Sequence, residues 1–122
     1  MSKELYDRAV AISQHAYAPY SNYLVGAAVL TKDGNVFEGA NVENAAYPLG
    51  VCAEKTALVK AVSAGYKPGD FAAIAITASP CGGCRQWLYE FQIGEITFLR
   101  SDGELVTYSA AELLPDTWDL PT

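Results

Sequence analysis

The chain has 122 residues, of which 51% are hydrophobic, which is enough for one compact core and too few for two ordinary domains. It carries 14 acidic and 8 basic residues, a formal charge of −6, and no basic cluster, so we do not expect it to bind a nucleic-acid backbone. Its apolar runs are short and its first residues are amphipathic and mixed in charge, so we expect neither a membrane span nor a secretory signal.

Apolar residues recur every three or four positions near the N-terminus and predict a helix that ends before Pro19. Two apolar runs around the turn Lys32-Asp33-Gly34 predict a β-hairpin, and Gly65 is a typical residue to close a later helix. Ser109 with Glu112 predicts a capped short helix near the C-terminus. The predicted elements before that helix are helix 3–17, strands 24–31 and 36–42, helix 52–64, strand 71–77, helix 81–91, and strands 95–99 and 105–108.

This order of elements predicts an α/β fold, a three-layer α-β-α sandwich around a five-stranded mixed sheet. No repeat, low-complexity segment or linker interrupts the pattern, so we predict a single domain over residues 1–122. Asn41 and Glu43 lie on either side of Val42, where the predicted strand 36–42 ends. By pattern alone, such alternating polar residues are most typical of a solvated loop.

The three cysteines are odd in number and have metal-ligand spacing, which favours reduced thiolates in a cytoplasmic protein over a disulfide framework. A catalytic zinc site needs three protein ligands and one open position, and Cys52, Cys81 and Cys84 supply three. Glu54 follows the first of them by two positions and remains available to move protons. Cys-x-Glu followed by Pro-Cys-x-x-Cys matches the signature of zinc nucleobase deaminases.

Other interpretations of the cysteines remain open at this stage. A structural zinc site would need a fourth ligand, and the only histidine, His15, lies on the first predicted helix. Cys81 and Cys84 alone would suit a redox pair at a strand-to-helix junction, but that interpretation leaves Cys52 and Glu54 without a role. The trio could also be purely structural.

Five sequence blocks resemble the small, homotetrameric, zinc-dependent cytidine deaminases, in the same order and over almost the whole chain. The blocks are YAPYSNY at 17–23, NVENAAYP at 41–48, CAE at 52–54, PCGGCRQ at 80–86 and ELLP at 112–115.

The resemblance implies hydrolytic deamination of cytidine and 2′-deoxycytidine to the uridines, with one zinc ion per chain. It implies that Cys52, Cys81 and Cys84 hold the metal. Glu54 would take a proton from the attacking water, pass it to N3 of the base, and help the amino group leave as ammonia. The alternative within this chemistry is a modified cytosine nucleoside or a nucleoside antibiotic such as blasticidin S.

The resemblance also implies the contacts to a nucleoside. Asn41 and Glu43 would hold the ribose, Tyr23 would line the pocket, and the backbone N–H of Ala53 and of Cys81 would serve the base carbonyl and the reacting oxygen. Further contacts are expected to involve neighbouring subunits of a homotetramer. Trp118 would reach a neighbour's base, and Ala45 and Tyr47 would lie near such an interface.

The sequence departs from the family pattern in three ways. The loop before Pro80 is several residues short, and Tyr23 and Trp118 replace common phenylalanines. Lys55 stands where an arginine usually offsets the charge of the thiolates, and an ammonium cannot reproduce the planar fork of that arginine. We expect Lys55 to supply this compensation, with Arg85 as the competing candidate.

Overall fold

The computed structural model describes residues 2–121. The helices are α1 (Ser2–Ser13), α2 (Ala53–Ser63), α3 (Gly82–Glu90) and α4 (Ala110–Leu113), and a 3-10 turn spans Tyr47–Leu49. The strands are β1 (Gly26–Thr31), β2 (Val36–Ala40), β3 (Phe71–Ile76), β4 (Glu95–Leu99) and β5 (Leu105–Tyr108). Among these residues no helix has the length and apolar character needed to cross a membrane.

The sheet has five strands in the order β2-β1-β3-β4-β5. Strands β3 and β4 pair in parallel, with α3 between them in the chain, and the other neighbours pair antiparallel. The predicted mixed sheet is therefore confirmed. The parallel pair positions the site, because the chain leaves the end of β3 and enters α3 at the cysteine pair.

Helices cover both faces of this sheet. On one face α1 buries Leu5 and Ala9 against Ala28 and Ala75. The opposite face carries the larger core, in which α2 and α3 pack on β1, β3 and β4. Because successive side chains of a strand point to opposite faces, β1 and β3 contribute to both cores. The three-layer α-β-α sandwich is confirmed.

Three elements near the site are shorter in the structure than the sequence predicted. Helix α1 ends at Ser13, short of the predicted residue 17, because Tyr17 pairs with the segment that follows β2: its N–H donates to Asn41 O (3.0 Å) and its carbonyl accepts from Glu43 N (2.8 Å). Strand β2 ends at Ala40 and β1 begins at Gly26, where the sequence predicted 42 and 24. Near the site, the predicted ends of these strands are not paired within the sheet. They make other contacts, which the periodicity of the sequence does not predict.

Helix α2 lies unusually close to strand β2 at Gly39. A Cβ atom at Gly39 would lie 2.4 Å from the backbone nitrogen of Ala57 and 2.9 Å from the carbonyl oxygen of Ala53. The facing residues of the helix are the fully buried alanines Ala53, Ala57 and Ala61. Only small residues permit this approach, so they set the distance between α2 and the sheet.

We predict that Gly39→Ala lowers the free energy of unfolding by about 1–3 kcal/mol, because backbone atoms on both sides must shift to admit one methyl group. Gly50→Ala is the matched control, since a Cβ there would meet its nearest atoms at 3.5 Å, an ordinary contact, at a φ of −65°. Chemical denaturation of both variants and the parent measures the effect. Equal unfolding midpoints for all three proteins would contradict the prediction.

Candidate active site

The polar segment that follows β2 is held extended by backbone hydrogen bonds on both sides. Tyr17 pairs with it on one side, and on the other Val42 and Val51 exchange two N–H···O bonds of 2.9 and 2.8 Å. Alternate residues of an extended segment face the same way, so Asn41 and Glu43 lie on one face. Both line the same cavity, so the solvated-loop interpretation does not describe them.

This cavity, which we call the catalytic cavity, is the candidate active site; it has a volume of about 230 Å³ and lies at the N-terminal ends of α2 and α3. It brings together the predicted residues Asn41, Glu43, Tyr23, Ala53 and Glu54 with two of the cysteines. The residues that line the catalytic cavity are Ser21, Tyr23, Val25, Asn41, Glu43, Cys52, Ala53, Glu54, Ala78, Ser79 and Cys81. Ala53 is the first residue of α2, so its N–H has no partner within the helix and is available to a ligand.

The three cysteine sulfurs converge beside this cavity. Cys52 is the N-cap of α2, Cys81 is the N-cap of α3, and Cys84 lies in the first turn of α3. All three are free thiols, and their sulfur atoms lie within 4.8 Å of one another. Tetrahedral zinc with bonds of about 2.3 Å to sulfur needs sulfur atoms about 3.8 Å apart, so this donor set fits the ion with small side-chain adjustments. Within residues 2–121 no further His, Cys, Asp or Glu joins the group, so three protein ligands would hold the ion.

The sulfurs are arranged so that one ionises first. Hydrogen bonds from Cys84, and to a lesser degree from Cys81, together with the charge of Lys55, lower the pKa of Cys52 to about 6, against the opposing effect of burial. The same hydrogen bond to Cys52, with burial and the nearby Glu54 and Cys52 charges, raises the pKa of Cys84. Of these two thiols Cys52 therefore loses its proton more readily, and a thiolate is the form that binds zinc.

Glu54 lies in the first turn of α2, next to the sulfurs and 4% exposed. Burial raises its pKa above the usual range for a glutamate, and the charge of Cys52 adds to this, while its own backbone N–H and the Cys84 thiol oppose it. A buried carboxyl that opens onto a cavity beside a metal-binding group is suited to accept and return a proton.

The two candidate cations differ in what they contact. The Lys55 ammonium lies 5.7 Å from the centroid of the Trp87 ring and contributes to the low pKa of Cys52. The Arg85 guanidinium donates to the carbonyl oxygen of Pro80 (2.8 Å), that of Leu113 (3.2 Å) and the hydroxyl of Ser79 (3.3 Å). Arg85 thus fixes the loop before α3 to the end of α4.

Three of the residues predicted to contact the nucleoside do not line the catalytic cavity of their own chain. Ala45 is exposed, and Tyr47 is 75% exposed with its ring 5.9 Å from that of Tyr20. Trp118 is 63% exposed, and its carbonyl accepts from Gln86 Nε2 at 3.1 Å. The C-terminal segment is thus attached to α3 with its indole ring directed outward.

Sequence reasoning missed several residues of the cavity wall. Val25, Ala78 and Ser79 carry no chemical signal in the sequence, because they are small or apolar residues at strand ends. Ser21 lies in a block that was recognised, but its hydroxyl donates to Glu43, a contact across 22 positions that no local pattern indicates. Trp87, which faces Lys55, was missed for the same reason.

Three converging sulfurs beside a buried carboxyl and a cavity fit the donor set of a catalytic zinc site, here on an α/β sandwich. The family model of the cytidine and deoxycytidylate deaminase zinc-binding region matches residues 1–100, and the chain belongs to this family. The resemblance found in the sequence blocks is thereby confirmed, and the donor set agrees with zinc as the cofactor.

Proteins named as cytidine deaminases are similar in sequence to this chain over most of its length. A cytidine deaminase from Sporosarcina psychrophila is 46% identical over 112 residues, which cover 84% of this chain and 79% of the relative. A probable cytidine deaminase from Dictyostelium discoideum is 42% identical over 116 residues, or 89% of this chain and 78% of the relative. The crystal structure of cytidine deaminase from Burkholderia pseudomallei has a TM-score of 0.89 and 46% identity, covering 97% of this chain and 99% of that one.

We predict that the purified protein carries about one zinc ion per chain, and that Cys81→Ser loses it, because a serine hydroxyl is a far poorer zinc ligand than a thiolate. Ser101→Ala, in an exposed turn, is the control and should keep its metal. Elemental analysis after gel filtration gives the stoichiometry. Full zinc content in Cys81→Ser would remove that sulfur from the ligand set.

Proposed function

We propose that this chain is a zinc-dependent cytidine deaminase, acting as one catalytic domain, that converts cytidine and 2′-deoxycytidine to uridine and 2′-deoxyuridine with release of ammonia. The observation that carries the proposal is the buried Glu54 beside three converging sulfurs, in a cavity that Asn41 and Glu43 also line. Membership of the deaminase family and the names of the relatives support it.

Cys52, Cys81 and Cys84 would hold the metal, which when bound lowers the pKa of a coordinated water toward neutrality. Glu54 would accept a proton from the attacking water and deliver it to N3 of the base. It would then assist the departure of the 4-amino group as ammonia, so that one water is consumed for each ammonia released. The Ala53 N–H, unpaired at the start of α2, would donate to the carbonyl of the base.

The sugar would be held by the extended segment after β2. Hydrogen bonds from the Ser21 side chain, and from the backbone N–H of Ser21 and Tyr20, lower the pKa of Glu43, so this carboxylate stays ionised and accepts hydrogen bonds strongly. Asn41 lies on the same face, and the exposed ring of Tyr23 lines the same cavity. A carboxylate acceptor beside an amide suits the hydroxyl groups of a sugar, which supports a nucleoside substrate.

Lys55 would compensate the charge of the thiolates. Its positive charge acts on Cys52, whereas the Arg85 guanidinium is engaged by two carbonyl groups and a hydroxyl. The contact of Lys55 with the Trp87 ring would restrict an otherwise flexible side chain.

We further propose a homotetramer with shared active sites, in the cytoplasm and in pyrimidine salvage. The support for sharing is geometric: Ala45, Tyr47 and Trp118 stand outside their own catalytic cavity, and the two aromatic rings among them are more than half exposed. Large exposed aromatic rings are common on surfaces that another subunit covers. Thiolate ligands fit a reducing compartment.

Turnover of a nucleoside panel tests the function. One preparation, followed by the ultraviolet absorbance change, should deaminate cytidine and 2′-deoxycytidine and leave free cytosine and adenosine unchanged, because the sugar contacts and the shape of the cytosine base are both required. Activity on blasticidin S with none on cytidine would show that the substrate differs from the one proposed, although the deamination chemistry is the same. A zinc-loaded protein that turns over none of these would overturn the proposal.

For Glu54→Gln we predict retained zinc and fold with turnover reduced by more than the ~10²–10⁴ that loss of one acid/base group commonly costs, because the same carboxyl would serve several proton transfers. Glu112→Gln, in the capping box of α4, is a control that also replaces a carboxylate with an amide. Metal content measures zinc binding, circular dichroism checks the fold, and single-turnover rates measure the chemical step. Substantial turnover by Glu54→Gln would assign the proton transfers to another group.

For Trp118→Ala we predict a KM for cytidine raised by about tenfold or more, with Leu120→Ala, an equally exposed apolar side chain, as the control. Sharing between subunits is tested by mixing. Assemblies reconstituted from Trp118→Ala and Glu54→Gln chains should recover low-KM turnover, because intact Glu54 and intact Trp118 then meet in one site. An active monomer, or mixtures no better than their components, would contradict shared sites.

A further inference from the structure

A loop and the sugar-binding segment are joined by side-chain hydrogen bonds at the wall of the catalytic cavity. Glu43 Oε1 accepts from the N–H of Tyr20 (3.0 Å) and of Ser21 (3.1 Å), while the Ser21 hydroxyl donates to Glu43 Oε2. The same hydroxyl oxygen accepts from the N–H of Tyr23 at 3.0 Å. Ser21 therefore contacts both a residue proposed to bind the sugar and the residue whose ring lines the cavity.

The hydrogen bonds leave Glu43 with limited free capacity. A carboxylate has about four acceptor sites, two on each oxygen. Both sites of Oε1 are used by backbone N–H groups, and one site of Oε2 is used by Ser21. About one acceptor site remains, on Oε2, and its direction is fixed by the bond from the Ser21 hydroxyl.

The backbone of the loop is arranged to make this contact. Asn22 has a φ of 58°, in the left-handed region that asparagine tolerates better than most residues, and its N–H donates to Ala18 O at 2.9 Å. The turn brings the Tyr23 N–H onto the Ser21 hydroxyl. Asn41 then continues the network, because its Nδ2 donates to Tyr23 O (3.0 Å) and its Oδ1 accepts from Val25 N (2.9 Å).

We propose that Ser21 is a positioning residue for sugar recognition: its hydroxyl aims the remaining acceptor site of Glu43 at a sugar hydroxyl. This inference rests on the proposed function and deepens it. Without the Ser21 hydroxyl, Glu43 keeps its two backbone bonds, but Oε2 is no longer held in one direction. The network does not include Glu54 or the sulfurs, so the loss falls on binding of the sugar and not on the chemical step.

The test compares Ser21→Ala with Ser21→Thr on two substrates. Cytidine carries the 2′- and 3′-hydroxyls, and 2′,3′-dideoxycytidine lacks both, the second being measured as a substrate or as a competitive inhibitor of cytidine turnover. Ser21→Ala should raise KM for cytidine about tenfold, the size expected for one hydrogen bond to a charged group, and change kcat by less than about twofold. The effect on 2′,3′-dideoxycytidine should be under about threefold. Ser21→Thr, which keeps the hydroxyl, should restore the parent KM.

A thermodynamic cycle separates positioning from simple loop stability. In a Glu43→Gln background, Ser21→Ala should add no more than about a twofold further change in KM for cytidine, because the group through which it acts is already altered. Ser101→Ala, in an exposed turn away from the cavity, serves as the control for loss of a serine hydroxyl.

Equal losses on both substrates, a loss confined to kcat, or additive effects in the cycle would overturn the inference while the parent protein still deaminated cytidine. A parent protein without cytidine turnover would instead remove the proposed function, and this inference with it.

Discussion

The convergence of the N-terminal ends of α2 and α3 is the constraint on which the rest of the site depends. Cys52 and Cys81 cap these helices and Cys84 lies one turn further, so the sulfurs meet only when both helices are seated correctly on the sheet. Exposed backbone N–H groups at both ends favour thiolates over thiols. The contact of α2 with Gly39 fixes the depth of one helix, and the parallel pairing of β3 with β4 fixes the other.

The part of the cavity wall that carries Asn41 and Glu43 is held in place by backbone pairing. The segment after β2 leaves the sheet and is held between Tyr17 and Val51, which gives Asn41 and Glu43 a common direction. These two side chains also bind the loop that carries Ser21 and so have structural contacts before any ligand arrives. Binding geometry and loop order are thereby set by the same few hydrogen bonds, which reduces the entropy that a ligand must remove.

Long, periodic elements were predicted well because burial of one face determines them. The apolar strands β1 and β3 and the capping box at Ser109 and Glu112 were predicted from local pattern and are present in the structure. The predicted ends of helices and strands were wrong where the chain approaches the cavity. There, Tyr17 pairs across the chain as part of an isolated bridge, and a contact between distant segments overrides helix propensity.

The sequence by itself determined the element order, the three candidate zinc ligands, the carboxyl beside them and the family, because spacing along two short motifs expresses the needs of the metal directly. Only the tertiary structure decided that Lys55 faces Trp87 while Arg85 turns to backbone carbonyls, that Ser21 holds Glu43, and that Tyr47 and Trp118 stand outside their own cavity. Several of these outcomes depend on contacts between residues far apart in the chain: Ser21 and Glu43 are 22 positions apart, and Arg85 and Leu113 are 28 positions apart. Packing sets the direction of such side chains, and local sequence pattern carries no record of it.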